Sequence, residues 1–146
     1  MCIIFSFKCY MGDTGLLVSL AFWDKKYQDN DLYRAILLDK MNINEGMLAE
    51  NVVAQILRSN GHRLFFYARA DPYNRANSME IDFLVPGGKK ISPVEVKSGR
   101  YQKHASLDKL RSRFGNRLGE SYILYTKDLM EKDGIVHLPL CMAMFL

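Results

Sequence analysis

Cysteine is scarce in this sequence, and no long apolar run is present. The 146 residues include three cysteines, Cys2, Cys9 and Cys141. An odd number of widely separated cysteines gives neither a disulfide framework nor a metal-ligand spacing, which favours a reducing compartment. The apolar start of the chain is too short for a signal peptide, lacks a preceding basic segment and contains Lys8. Because no stretch approaches the length that crosses a bilayer, we expect a soluble, cytoplasmic protein.

Phosphate loops and histidine clusters are missing as well. The pattern G-x-x-x-x-G-K-[ST] does not occur, so the chain lacks the nucleotide site of a P-loop ATPase. The three histidines, His62, His104 and His137, are scattered, and none has a sequence neighbour that makes a ligand pair or a triad. What is present is a globular composition, with 49% apolar and 25% charged residues, at a length typical of one domain over residues 1–146.

The positive charge is concentrated in one segment. The net charge is +4, but residues 97–117 hold seven of the 20 basic residues and one of the 16 acidic residues. The rest of the chain is therefore slightly acidic. Two interpretations stay open, a solvated face of the protein or a surface that contacts phosphates.

Hydrophobic patterning predicts both helices and strands. The predicted helices cover residues 13–22, 31–40, 44–61 and 104–116. The predicted strands cover residues 62–68, the two arms of a hairpin within 80–99, and residues 121–126 and 133–140. The apolar segment 140–146 is expected to form a short buried helix or a packing plug. This order predicts an α/β or α+β fold in which helices pack on a sheet.

The predicted hairpin, "EIDFLVPGGKKISPVEVKSG", carries charged residues inside apolar strands. Because strand side chains alternate between faces, Glu95 and Lys97 share one face, and a turn near Gly88 and Lys89 places Asp82 opposite Glu95. Two opposed carboxylates repel each other unless a cation neutralises them, one holds a proton, or the register differs. A hard divalent ion such as Mg²⁺ or Mn²⁺ suits two carboxylates best. The alternative is an ordinary solvated strand face.

A third acidic residue lies on the long predicted helix. Projected at 100° per residue from Leu48, Glu50 falls near 200°, at the border of an apolar stripe that includes Val52 and Leu57. A glutamate at that border can reach over the sheet toward the hairpin. The alternative is an ordinary glutamate at the edge of a helix.

Glu50, Asp82, Glu95 and Lys97 together resemble the PD-(D/E)xK nuclease superfamily. Its motif combines a helix glutamate, an aspartate on one strand and (Asp/Glu)-x-Lys on the next strand. The wider sequence resembles a domain of unknown function at the C-terminus of prokaryotic AAA-type ATPases. The similar segments are "FKCYMGDTGLL", "GMLAENVVAQIL", "MEIDFLV", "ISPVEVKSG" and "GIVHLPLCMAMFL". The resemblance implies a restriction-endonuclease-like mixed central sheet flanked by helices, in the C-terminal part of a longer ATPase-type protein.

The same resemblance implies a function and a set of roles. Asp82 and Glu95, with the backbone carbonyl of Val96, would hold Mg²⁺ or Mn²⁺, and Lys97 would orient a water or stabilise charge on the phosphate. Glu50 would bind through water or help to hold a second metal. The expected DNA-phosphate contacts are Arg100, Lys103, Lys109, Arg111, Arg113 and Arg117. We expect a metal-dependent nuclease-like domain, or alternatively an inactive module that binds DNA or docks onto the ATPase portion.

Overall fold

The computed structural model describes residues 7–23, 45–71, 73–74, 77–99 and 104–146. The helix predicted at 31–40 and the basic residues Arg100 and Lys103 lie outside these ranges.

Helices begin and end close to the positions that the sequence predicts. Within the described ranges, the α-helices are α1 (Thr14–Phe22), α2 (Glu45–Ser59) and α3 (Ala105–Phe114), and 3-10 helices occupy Gly115–Arg117 and Leu140–Phe145. The Asp13 side chain caps α1 by accepting a hydrogen bond of 2.9 Å from the Leu16 amide. Gly61 follows α2 with a φ of 85°, which a glycine adopts without strain. None of the helices described is both long enough and apolar enough to traverse a lipid bilayer.

Strands form one large mixed sheet and one small sheet in the described part of the chain. The strands are β1 (Tyr67–Arg69), β2 (Met79–Ile81), β3 (Phe83–Gly87), β4 (Lys90–Val96), β5 (Ser121–Tyr125), β6 (Met130–Lys132) and β7 (Ile135–Pro139). The five-stranded sheet has the order β3-β4-β5-β7-β6, and β1 pairs with β2. β5 lies parallel to β4 and β7, whereas β3 and β6 are antiparallel to their neighbours. The predicted α/β class, with helices on a mixed sheet, is confirmed.

Several boundaries differ from the prediction. The strand predicted at 62–68 is shorter and later, at Tyr67–Arg69, although the Phe65 carbonyl accepts a 2.7 Å hydrogen bond from the Leu84 amide. The first arm of the hairpin is divided at Asp82, because β2 pairs with β1 whereas β3 pairs with β4. The short strand β6 was not predicted. Leu140–Phe145 forms a short 3-10 helix in which Ala143 is buried, whereas Met144 and Phe145 are exposed, so the expectation of a buried helix holds only for Ala143.

Side-chain alternation gives the large sheet two covered faces. Helix α2 packs against Phe83, Val94 and Val96 on one face, together with Leu124. On the other face, Leu107 and Leu110 of α3 pack against Ile123 and Ile135. Because strand residues alternate, Glu95, between Val94 and Val96, points toward the α3 face. The sheet therefore separates Glu95 from the body of α2.

Candidate functional site

Asp82 lies at the break between β2 and β3, beside the end of β4. The antiparallel register of β3 and β4 ends at the pair Phe83 and Val94, one residue from Asp82 and Glu95, in agreement with the predicted turn near Gly88. The Asp82 Oδ2 atom accepts a 2.9 Å hydrogen bond from the Val96 amide. This bond satisfies a backbone donor where the strand pairing stops and fixes the carboxylate against β4.

Lys8 joins the helix glutamate to the hairpin aspartate. Its Nζ atom donates hydrogen bonds to Glu50 Oε1 at 2.8 Å and to Asp82 Oδ1 at 2.9 Å. The Glu80 Oε1 atom lies 2.9 Å from the same ammonium. Glu50 and Asp82, which the sequence analysis proposed to bring together, thus share a single cationic partner.

Glu50 lies within the buried face of α2 and not at its border. Ala49 and Val53 on one side of it and Ala54 on the other are buried, whereas Val52 is 37% exposed. The prediction that Glu50 borders the buried stripe was therefore wrong, because the buried face is centred farther around the helix than the sequence indicates. The reason is that buried Asn51 continues the packed face by bonding to the segment before α1, at Met11.

The pKa values of Lys8 and Tyr10 respond to this cluster. Burial lowers the pKa of Lys8, but hydrogen bonds with Glu50 and Asp82 outweigh burial and raise it well above its ordinary value. The Tyr10 hydroxyl donates a 2.6 Å hydrogen bond to Glu50 Oε1. Burial and then this bond raise the pKa of Tyr10. Both groups therefore keep their protons at neutral pH.

Glu95 and Lys97 form a second, adjacent pair. The Lys97 Nζ atom lies 2.9 Å from Glu95 Oε2, and Glu95 is 2% exposed. At 2.9 Å this contact has ion-pair distance, and hydrogen bonds from Lys97 and from the backbone of Leu107 partly compensate the buried carboxylate. Burial raises the pKa of the Glu95 carboxyl, Lys97 opposes that rise, and the negative charge of Asp82 adds to it. Glu95 is therefore a buried acid coupled to Asp82.

The acidic residues do not fit a divalent ion in this conformation. Among the described residues, no three or more His, Cys, Asp or Glu side chains are grouped so that they could hold a metal. Both oxygens of Asp82 are engaged, one by Lys8 and one by the Val96 amide. The backbone contact at Val96 is made by its amide, and the predicted role of its carbonyl as a ligand stays a prediction. Three carboxylates converge on a lysine and leave no position between them for an ion.

The described residues of the predicted basic surface lie on α3 and in the 3-10 helix that follows it. Lys109 donates to the Ser78 carbonyl at 3.1 Å, and Arg111 donates to the Asp133 carbonyl at 2.9 Å. Arg113 lies over the Phe114 ring, and Arg117 is exposed. Leu118, the residue after Arg117, bridges to Ile91, about 20 Å along β4 from Lys97 at the rise of an extended strand. DNA contact by these residues stays a prediction.

A comparison with protein families matches residues 45–142 to the family described as Domain of unknown function (DUF4143). The chain belongs to this family. The match includes Glu50, Asp82, Glu95 and Lys97, and begins after Lys8. No curated protein and no solved structure matches the chain. Membership in DUF4143 therefore supports an uncharacterised domain and adds no activity to it.

Sequence reasoning missed three contributors to the site of this DUF4143 chain. Lys8 and Tyr10 lie in the segment before α1, and Glu80 precedes the motif aspartate by two residues. The sequence did contain one indication, a lysine inside an apolar stretch. We used Lys8 only as an argument against a signal peptide. Such a charge needs a partner when it is buried, and three acidic residues provide one here.

Proposed function

We propose that the chain is a nuclease-like domain that acts on DNA phosphodiesters through Glu50, Asp82, Glu95 and Lys97. What supports the proposal is the continuity of their contacts. Lys8 links Glu50 to Asp82, and Asp82 bonds the amide of Val96, which lies between Glu95 and Lys97. This chain of pairwise contacts, from a helix to the ends of two strands, supports the proposal of a PD-(D/E)xK-like site.

Lys97 is the group of this site that we propose to meet the substrate. It lies directly after β4, is partly exposed, and is positioned by the buried Glu95 carboxylate. An ammonium held beside a carboxylate can contact a phosphate oxygen and stabilise the charge that develops on it. Arg113 and Arg117 are exposed on the α3 side and can contact backbone phosphates farther along a duplex.

Mg²⁺ or Mn²⁺ remains part of the proposal only through the resemblance to PD-(D/E)xK nucleases. In this conformation Lys8 lies between the Glu50 and Asp82 carboxylates, and among the described residues no cluster of acidic side chains could hold the ion.

A second candidate is a module that binds DNA or docks onto an ATPase portion without hydrolysis. This second candidate is favoured because several of the charged side chains are already paired within the chain. Lys8 already compensates part of the acidic cluster, and two of the predicted phosphate contacts, Lys109 and Arg111, bond backbone carbonyls of this chain. A group that has an internal partner gains less from a phosphate.

Nicking of supercoiled plasmid during Mg²⁺ and Mn²⁺ titrations separates the two candidates. The wild-type chain should nick, whereas Asp82→Ala and Lys97→Ala should each lower the rate by about a hundredfold or more. Lys90→Ala is the matched control, because Lys90 is an exposed lysine at the other end of β4. Binding to DNA that weakens with salt, without nicking at any metal concentration, would leave the second candidate.

A further inference from the structure

Lys8 has the surroundings of a bound cation. Its ammonium lies 2.8 Å from Glu50 Oε1 and 2.9 Å from oxygens of Glu80 and Asp82, and its side chain is 14% exposed. Carboxylate oxygens in this number are the ligands that hard divalent ions take in proteins. Within the described residues, Lys8 is the cation that pairs with all three.

One ammonium does not balance three carboxylates. With all groups in their ordinary charge states, Lys8 leaves two of these three negative charges uncompensated. A second observation points the same way. Glu95 is a fourth carboxylate, buried and paired with Lys97, and the negative charge of Asp82 helps to raise its pKa. The region therefore has an excess of carboxylate over the cations that pair with it.

We infer that Lys8 is an internal competitor of divalent cations for Glu50 and Asp82. The ammonium contacts one oxygen of each carboxylate, and a divalent ion bound between those oxygens would need them at about 2.0–2.5 Å. Two cations cannot share that space without strong repulsion. Metal binding at these residues therefore requires the Lys8 side chain to leave, and this explains why the acidic residues are not grouped around a metal position.

The segment that carries Lys8 is attached to α2 by bonds that do not involve Lys8. The Met11 amide donates to Asn51 Oδ1 at 2.8 Å, and Asn51 and Gln55 both donate to the Met11 carbonyl at 3.2 Å. The Tyr10 hydroxyl donates a hydrogen bond to Glu50. The side chain of Lys8 can therefore move or be replaced while the backbone of residues 8–12 stays in place.

Binding of Mn²⁺ alone to the metal-free chain, measured by calorimetry without nucleic acid, tests the inference. Lys8→Met keeps the length and apolar stem of the side chain and removes the charge. We expect this variant to bind Mn²⁺ about tenfold more tightly or better than the wild type. Lys90→Met removes the same charge from an exposed position and should leave the affinity unchanged. Equal affinity of Lys8→Met and the wild type would overturn the inference.

A double variant tests whether the additional Mn²⁺ affinity of Lys8→Met depends on Asp82. Adding Asp82→Asn to Lys8→Met should return the Mn²⁺ affinity to the wild-type value, and a gain that persists would overturn the inference. Circular dichroism of each variant reports its fold. If Lys8→Met is unfolded without metal, Mn²⁺ should restore the fold, because a ligand that binds only the folded state stabilises it. Failure of Mn²⁺ to restore the fold would also contradict the inference.

The inference rests on the proposed function, because only a nuclease gives the divalent ion a role. The competition by Lys8 and the nuclease activity can nevertheless fail separately. Tighter Mn²⁺ binding by Lys8→Met without plasmid nicking would refute the nuclease and leave the competition intact. Nicking with the same Mn²⁺ midpoint in the wild type and Lys8→Met would support the nuclease and refute the competition.

Discussion

At the scale of single residues, the site depends on charges that are paired across long sequence distances. Lys8 contacts Glu50 and Asp82, which are 42 and 74 residues away. Breaking a partly buried pair is costly because the remaining charge loses its partner. Tyr10 adds a neutral donor to the same carboxylate and contacts Phe83 through its ring, at 5.5 Å between centroids.

The hydroxyl of Tyr10 can be removed without changing the ring. Tyr10→Phe should lower the free energy of unfolding by about 1–2 kcal/mol, because Glu50 loses a donor in a partly buried place. Urea denaturation measures the change. Tyr73→Phe is the matched control, since Tyr73 is 98% exposed, and should change stability by less than about 0.5 kcal/mol. Equal effects of the two substitutions would contradict the role given to the Tyr10 hydroxyl.

At the scale of elements, the segment before α1 is fastened to α2 through one buried side chain. Asn51 is 2% exposed and bonds both the amide and the carbonyl of Met11, and it also donates to Thr14 Oγ1 at 3.0 Å. This contact positions the segment that presents Lys8 and Tyr10 to the site.

Asn51→Ala should therefore cost about 1–3 kcal/mol of folding stability, because the Met11 amide loses its acceptor. The measurement is the midpoint of urea denaturation at constant slope. Asn116→Ala, at an exposed position of the 3-10 helix after α3, is the control and should stay within about 0.5 kcal/mol. A loss of the same size in both variants would show that Asn51 does not fasten the segment.

Strand β5 offers a test by pH. The Tyr122 hydroxyl donates a 2.6 Å hydrogen bond to Glu120, and burial followed by this bond raises the pKa of Tyr122 from 10.0 to about 12. Because the folded value is raised, the bond contributes its full stability below about pH 10 and loses it as the pH rises toward 12. The stability difference between the wild type and Tyr122→Phe should shrink over that range in thermal melts. A constant difference from pH 9 to 12 would contradict this assignment.

The elements of the fold could be predicted where a local pattern decides them, and not where distant residues do. The turn near Gly88 could be predicted, and the register of β3 with β4 agrees with it up to the pair Phe83 and Val94, next to Asp82 and Glu95. The division of the arm at Asp82 was not predictable, since it depends on a separate pairing of β2 with β1. The contacts of Lys8 were equally hidden, because no local period relates it to α2.

At the scale of the whole molecule, Lys97 and the residue that follows Arg117 lie at opposite ends of β4. A duplex that contacts both would cross about 20 Å of the surface, measured from Lys97 to the bridge between Ile91 and Leu118. We propose that Arg117 contacts a backbone phosphate of the DNA at that distance.

Arg117→Ala should weaken DNA binding similarly on all sequences and reduce the slope of log affinity against log salt by about 1. Fluorescence anisotropy with duplexes of unrelated sequence, at several salt concentrations, measures both quantities. Arg63→Ala removes an exposed arginine near the end of α2 and should leave the slope unchanged. Identical slopes for the wild type and Arg117→Ala would exclude Arg117 from the interface.

We propose that Glu50, Asp82, Glu95 and Lys97 act as one site. The most direct test is a double-mutant cycle in plasmid nicking with Glu50→Gln and Lys97→Met, which lie on separate elements. Residues that act as a unit are strongly non-additive, so the double variant should be about as slow as the slower single variant. Rates that fall by the full product of the two single effects would contradict a shared site.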